Sequence, residues 1–285
     1  MVSLQRLSEK RSPGESEQYV TRHVQSVLCP GAKWRYPGVQ IAADGLIGGQ
    51  PGGDFYIAAL GPHNEIALSV GTVTGGGLLA TLCQVLAASL IHLEVRRGSS
   101  PVLIAHKVHR LLSRINADVA RFPVSCSMFA ALIDKRRETL EYCRAGGCQP
   151  FVQMRRGEWF ELPLTCRDFG RASEADTDAH VFVLDARQIE RLVVVTEGCR
   201  DGEGGTSSDV DVALVSSVPR GSASRQVHAM LAKVCRQRHR GALSNRDVSV
   251  VVADLRCNEE SDAPATNRFR AISDKPRNRR NGRCQ

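Results

Sequence analysis

Residues 47–82 read IGGQPGGDFYIAALGPHNEIALSVGTVTGGGLLATL, and this stretch decides the fold. The alternation around Phe55 and Tyr56 suits a half-buried strand, and Gly61-Pro62-His63-Asn64 supplies a hairpin turn. Residues 65–73 are β-branched and apolar enough for a second strand, and Gly75-Gly76-Gly77 then frees the backbone before a strongly apolar helix. Asp54 stands at the start of the first strand, behind Gly52 and Gly53, which let another group approach closely. A carboxylate so placed either caps the turn or serves as a ligand for a hard cation.

Outward from this stretch, the composition is that of an ordinary globular protein, 42% hydrophobic and 24% charged over 285 residues. The net charge of +8 is unevenly placed: residues 267–285 hold seven Lys/Arg against one Asp and carry +6 of it. The basic balance is therefore a property of the tail. None of the ten cysteines stands in CxxC spacing, and several fall in apolar patterns where cysteine behaves as a small hydrophobe. With no N-terminal targeting segment in the sequence, a reduced, cytoplasmic chain is expected. Residues 66–93 lack Asp, Glu, Lys and Arg, yet three consecutive glycines break them into a buried strand and a short helix rather than a membrane span.

Along the chain, residues 1–14 read as a disordered leader, 15–257 as one domain and 258–285 as a disordered basic tail. Helical spacing runs through 15–28, and a second long helix starts at Pro101, capped by Ser99 or Ser100. Strands are expected at 38–43, 127–134, 139–144, 151–155, 159–162, 181–184, 192–196 and 248–255, with a basic amphipathic helix at 222–240. His106 and His109 share one helical face and read as partly exposed. The order shows no regular alternation of strand and helix, so an α+β fold of antiparallel sheets with helices outside is expected.

Several of these stretches form an ordered series. They are Val24-Gln25-Ser26-Val27-Leu28-Cys29-Pro30, Gly52-Gly53-Asp54-Phe55-Tyr56-Ile57 and Gly71-Thr72-Val73-Thr74-Gly75-Gly76-Gly77. Met128 to Asp134 and Leu140 to Pro150 follow, then Leu192-Val193-Val194-Val195-Thr196-Glu197-Gly198 and Arg246-Asp247-Val248-Ser249. In that order they resemble the motifs of the SpoIIE/RsbU-like bacterial branch of the PPM-type (type 2C-like), metal-dependent protein serine/threonine phosphatases, over residues 17–256. The resemblance implies a four-layer α-β-β-α sandwich of two antiparallel sheets flanked by helices. It also implies two Mn²⁺ or Mg²⁺ ions held by Asp side chains, which activate a water for in-line attack on a phosphoryl group. The implied partner is a phosphorylated regulatory protein of the anti-sigma-antagonist type, and the first helix is implied as a homodimer contact.

The departures from the family pattern fall on the metal ligands. Asp54 is retained, Thr72 replaces the Asp of the glycine turn, Glu197 replaces a third Asp, and Arg246 stands where a fourth is expected, beside Asp247. Ile57 and Gly147 replace a further Asp and a His. Three functions follow. A working phosphatase would use Asp54 and Glu197 as catalytic ligands, with Asp247 completing a weak or single-metal site. A pseudophosphatase would bind phosphoprotein without hydrolysis, with Arg246, Gly75 and Gly76 receiving the phosphate. The arginine-rich tail (Arg268, Arg270, Arg277, Arg279, Arg280 and Arg283, with Phe269) suits nucleic acid, against the commoner role of a solubilising end.

Overall fold

The computed structural model describes residues 13–48, 53–75, 77–118, 123–136, 138–170, 179–199, 215–216, 221–239 and 246–255. The basic tail and most of the leader lie outside them.

Two antiparallel sheets face each other. The first contains β1 (Ala32–Tyr36), β2 (Val39–Leu46), β7 (Gln149–Met154), β8 (Trp159–Glu161), β10 (Ile189–Val195) and β11 (Val248–Leu255), in the order β1-β2-β11-β10-β7-β8. The second contains β3 (Gly53–Leu60), β4 (Ile66–Thr74), β5 (Ser125–Asp134), β6 (Thr139–Ala145) and β9 (Phe182–Asp185), in the order β3-β4-β5-β6-β9. Helices α2 (Gly77–Arg96) and α3 (Pro101–Asp118) cover the second sheet, α4 (Ala223–His239) covers the first, and α1 (Pro13–Leu28) packs on α2. The expected α-β-β-α layering is present.

The near-continuous apolar strands are explained by burial on both faces. In β10, Leu192 and Val194 point between the sheets toward Val70, Phe129 and Tyr142, while Val193 and Val195 pack on Val227, Met230 and Val234 of α4. Complete burial of each such valine or leucine contributes roughly 1.5–3 kcal/mol. Phe55 faces the other way from Tyr56 and joins Cys83, Ala87 and Ile91 of α2. Alternation thus gives β3 one wall of each core. By length and composition α2 could cross a membrane; in the fold, 44% of its most apolar window is buried.

The sequence reading had no strand at β1. Its five residues carry Lys33 and Arg35 on one side, and its hairpin partner begins at once: Tyr36 pairs with Val39 across Pro37-Gly38, with Gly38 at φ 69°. The Pro-Gly dipeptide was the available signal. His109 also differs from expectation, being 2% exposed, 3.1 Å from the Ser113 hydroxyl and edge-on to Phe169. The loop around Phe169 and Gly170 covers it, which helical periodicity alone could not reveal. Ser100 is the α3 cap, its hydroxyl accepting from the Leu103 amide at 3.3 Å.

Candidate functional site

The register of β3 against β4 places Asp54 directly opposite Thr72. The Asp54 side chain is buried, 1% exposed, and it is surrounded by hydroxyls. Thr72 Oγ1 donates to its Oδ1 at 2.6 Å and Thr196 Oγ1 donates to its Oδ2 at 2.7 Å, with the Ser249 hydroxyl as a further partner. Thr196 is held in turn, its Oγ1 accepting from the Ser249 amide at 2.8 Å. Behind the carboxylate, the Asp54 carbonyl accepts from the Cys29 thiol at 3.0 Å and from the Gln84 side-chain amide of α2. Burial raises the Asp54 pKa from the ordinary 3.8 to about 6, the Thr72 hydrogen bond opposes that rise, and the charge of Asp247 adds to it.

Asp247 stands immediately before β11 and is also buried. Its Oδ1 accepts from the Gly48 amide at 2.6 Å and its Oδ2 from the Gln25 side-chain amide of α1 at 2.6 Å. Arg246, its neighbour, is exposed. The chain thus turns the carboxylate inward and the guanidinium outward.

Glu197 opens a short 3-10 turn, Glu197–Cys199, after β10. A Cβ placed on Gly147 would stand 2.2 Å from Glu197 Oε1, and one on Gly198 would stand 1.9 Å from the Asp247 carbonyl oxygen. The longer carboxylate therefore lies across the space that a side chain at position 147 would need, and the two departures from the family pattern are sterically coupled. The fully buried Cys148 links the neighbourhoods. Burial pushes its thiol pKa up, and the charges of Asp54 and Glu197 add to the rise. Gly147→His is expected to lower stability by about 1–3 kcal/mol, with Gly147→His/Glu197→Asp recovering part of it in urea unfolding. Unchanged stability of the single variant would contradict this packing.

Gly75 is exposed with φ 148°, and Gly76 lies outside the described residues. The nearby Leu78 amide at the start of α2 is taken by Glu17 of α1, whose Oε1 accepts from it at 3.0 Å. A carboxylate thus stands at the helix terminus where the glycine turn was expected to receive phosphate.

The donor set does not fit a pair of divalent cations. Both Asp54 oxygens accept from neutral hydroxyls, Thr72 contributes no charge, and both Asp247 oxygens are engaged by amides. Among the described residues, no group of three or more His, Cys, Asp or Glu side chains is placed to hold a metal ion. Two dications a few ångströms apart need several carboxylates to offset their repulsion. The partners that sequence reasoning missed are Thr196, Ser249, Gln84 and Cys29 for Asp54 and Gln25 for Asp247; all but Gln84 fall inside the ordered motifs, but at positions to which the motifs give no ligand role.

This architecture is that of the PPM-type serine/threonine phosphatases, and solved structures share it. The RsbU and RsbW domains of a Mycobacterium tuberculosis protein align at 21% identity with a TM-score of 0.62, over 78% of this chain and 61% of that one. This chain thus spans less than two thirds of that relative's length. The SiaA-PP2C domain of Pseudomonas aeruginosa aligns at 18% identity with a TM-score of 0.60, over 90% of this chain and 100% of that one. RsbX in complex with magnesium aligns at 12% identity with a TM-score of 0.57, over 79% of this chain and 99% of that one. No curated protein sequence matches the chain significantly. Residues 62–256 match the sequence family described as Stage II sporulation protein E (SpoIIE), and the chain belongs to that family.

Proposed function

We propose that the chain is a SpoIIE/RsbU-type phosphatase domain in which a hydrogen-bonded network has replaced the metal pair. It binds a phosphorylated regulatory protein in bacterial signalling and does not hydrolyse it. The observation that carries this is the state of Asp54: a buried carboxylate with both oxygens satisfied by the Thr72 and Thr196 hydroxyls. A ligand that must displace two short hydrogen bonds and then share a site with neutral oxygens binds weakly. RsbX was solved in complex with magnesium, which makes Mg²⁺ and Mn²⁺ the cations to test here. The RsbU and RsbW domains, and the bacterial stressosome named for another similar structure, support a partner-switching context with an anti-sigma-antagonist-like phosphoprotein.

Arg246, exposed beside the buried Asp247, presents the guanidinium that receives the phosphate, because a fork of N–H donors holds a phosphoryl group without a metal. The test combines turnover and binding. With a phosphoserine peptide and millimolar Mn²⁺, no phosphate release is expected, while the peptide binds and Arg246→Glu weakens that binding by about tenfold or more. Phosphate release that disappears in Asp54→Ala would overturn the proposal in favour of a reduced but working phosphatase.

A further inference from the structure

A second basic site lies away from Asp54. At the β1 edge of the first sheet, a cavity of about 440 Å³ opens between β1, β2 and the first turns of α4. Lys33 pairs with Ala42 and Arg35 with Gln40, so strand alternation puts both cations on the sheet face where Ala42 packs beneath α4. Arg225 and His228 reach the same cavity from α4, and Ser222 and Ser224 line it with hydroxyls. The four basic side chains are exposed.

The charge balance is one-sided. No described residue forms an ion pair with Lys33, Arg35 or Arg225. Among the described residues, Asp44 and Asp254 are nearby carboxylates. Asp44 faces His228 at 3.9 Å, and Asp254 is buried, its oxygens taken by Arg191 at 2.5 Å and by the Ala223 amide at 3.0 Å. Three permanent cations converging on one cavity repel each other in the absence of an anion. Together with the serine hydroxyls they supply donors from β1 and from the start of α4 to the oxygens of one group.

We infer that this cavity binds a phosphomonoester, a dianion whose charge the three cations match better than they would a single carboxylate. Its volume exceeds a phosphate group alone and leaves room for the phosphorylated side chain or small molecule that carries it. The cavity touches β2 at residues 40–42, whereas Asp247 is held by Gly48, six residues further along, about 20 Å of extended chain. The two sites are separate, and this one does not rest on the state of Asp54.

Calorimetry on the full chain carrying Arg246→Glu, which removes the phosphate contact beside Asp247, tests it with three probes: O-phosphoserine, a phosphoserine peptide and the same peptide unphosphorylated. Saturable binding of a phosphorylated probe is expected, with none of the unphosphorylated peptide. Arg35→Glu/Arg225→Glu should weaken it by tenfold or more, and Asp54→Asn should leave it unchanged. If O-phosphoserine binds as tightly as the phosphopeptide, the ligand is a small phosphomonoester; if only the peptide binds, it is a phosphoprotein. Should the double variant fail to fold, Lys33→Ala gives the same comparison at an exposed position. The proposal is overturned if neither phosphorylated probe binds at millimolar concentration, or if binding survives the charge reversals. It is also overturned if Arg246→Glu alone abolishes binding, because the phosphate then belongs to the site beside Asp247.

Discussion

Thr72→Asp, combined with Arg246→Asp, is expected to give the protein a divalent-cation site. At present the Thr72 hydroxyl donates to the buried Asp54 carboxylate at 2.6 Å. A second carboxylate across that same β-pair faces the first with no proton between them, and removing Arg246 takes a positive charge from beside Asp247. Without a cation the like charges repel, so the variant should unfold at a lower temperature than the parent at neutral pH. With Mn²⁺ the repulsion becomes binding energy: at a hundred times the dissociation constant the gain is about 2.7 kcal/mol. For a domain of this size that is a rise of roughly 5–10 °C in Tm. The parent should show no rise. A parent stabilised by Mn²⁺ as much as the variant would mean that Thr72 does not block the metal.

Asp54→Asn is expected to stabilise the fold. Burial holds the Asp54 pKa at about 6 against 3.8 ordinarily, so between those pH values the folded protein binds more protons than the unfolded chain. Stability therefore falls as pH rises from about 4 to about 6 and is level above that, at ~1.4 kcal/mol for each pH unit, on the order of 3 kcal/mol in all. Asparagine removes the charge and keeps the shape. Its carbonyl can accept from Thr196 as the carboxylate does now, and its amide can donate to the Thr72 oxygen. At pH 7 the variant should be more stable by up to roughly 3 kcal/mol, and its profile between pH 4 and 6 should flatten. Chemical denaturation across that range checks both. A variant less stable than the parent at pH 7 would mean that the charged carboxylate is needed, as it would be in a metal-holding site.

The layers were legible in the sequence because two-sided burial leaves a strong mark. Residues 192–195 and 250–253 are apolar at every position, and only strands covered on both faces need that. The glycine turn and the ordered motifs likewise singled out Asp54, Glu197 and Asp247 as candidate carboxylates. What the residues around Asp54 do to one another was not legible. Thr196 is 142 positions from Asp54, and Gln25 is 222 from Asp247, so neither pairing leaves a local pattern. The register next to β11 was also ambiguous from motif matching, which set Arg246 on the ligand position. Folding sends Asp247 inward to the Gly48 and Gln25 amides and leaves Arg246 at the surface. Glu197 and Gly147 were separate departures on paper, and packing makes them one exchange of volume.

The role of α1 became visible only in three dimensions. Its Gln25 holds Asp247, the Cys29 that follows it reaches the Asp54 carbonyl, and its Glu17 caps α2. The first helix is thereby built into the candidate site, a role distinct from the dimer contact that the family resemblance implied for it.

The most direct measurement of the central claim is calorimetric titration of the parent protein with Mn²⁺ at neutral pH, with Asp54→Ala as the control. A hydrogen-bonded network in place of the metal pair predicts no saturable heat at millimolar cation in either protein. Saturable binding to the parent that is lost in Asp54→Ala would contradict it and make the site a functioning metal centre.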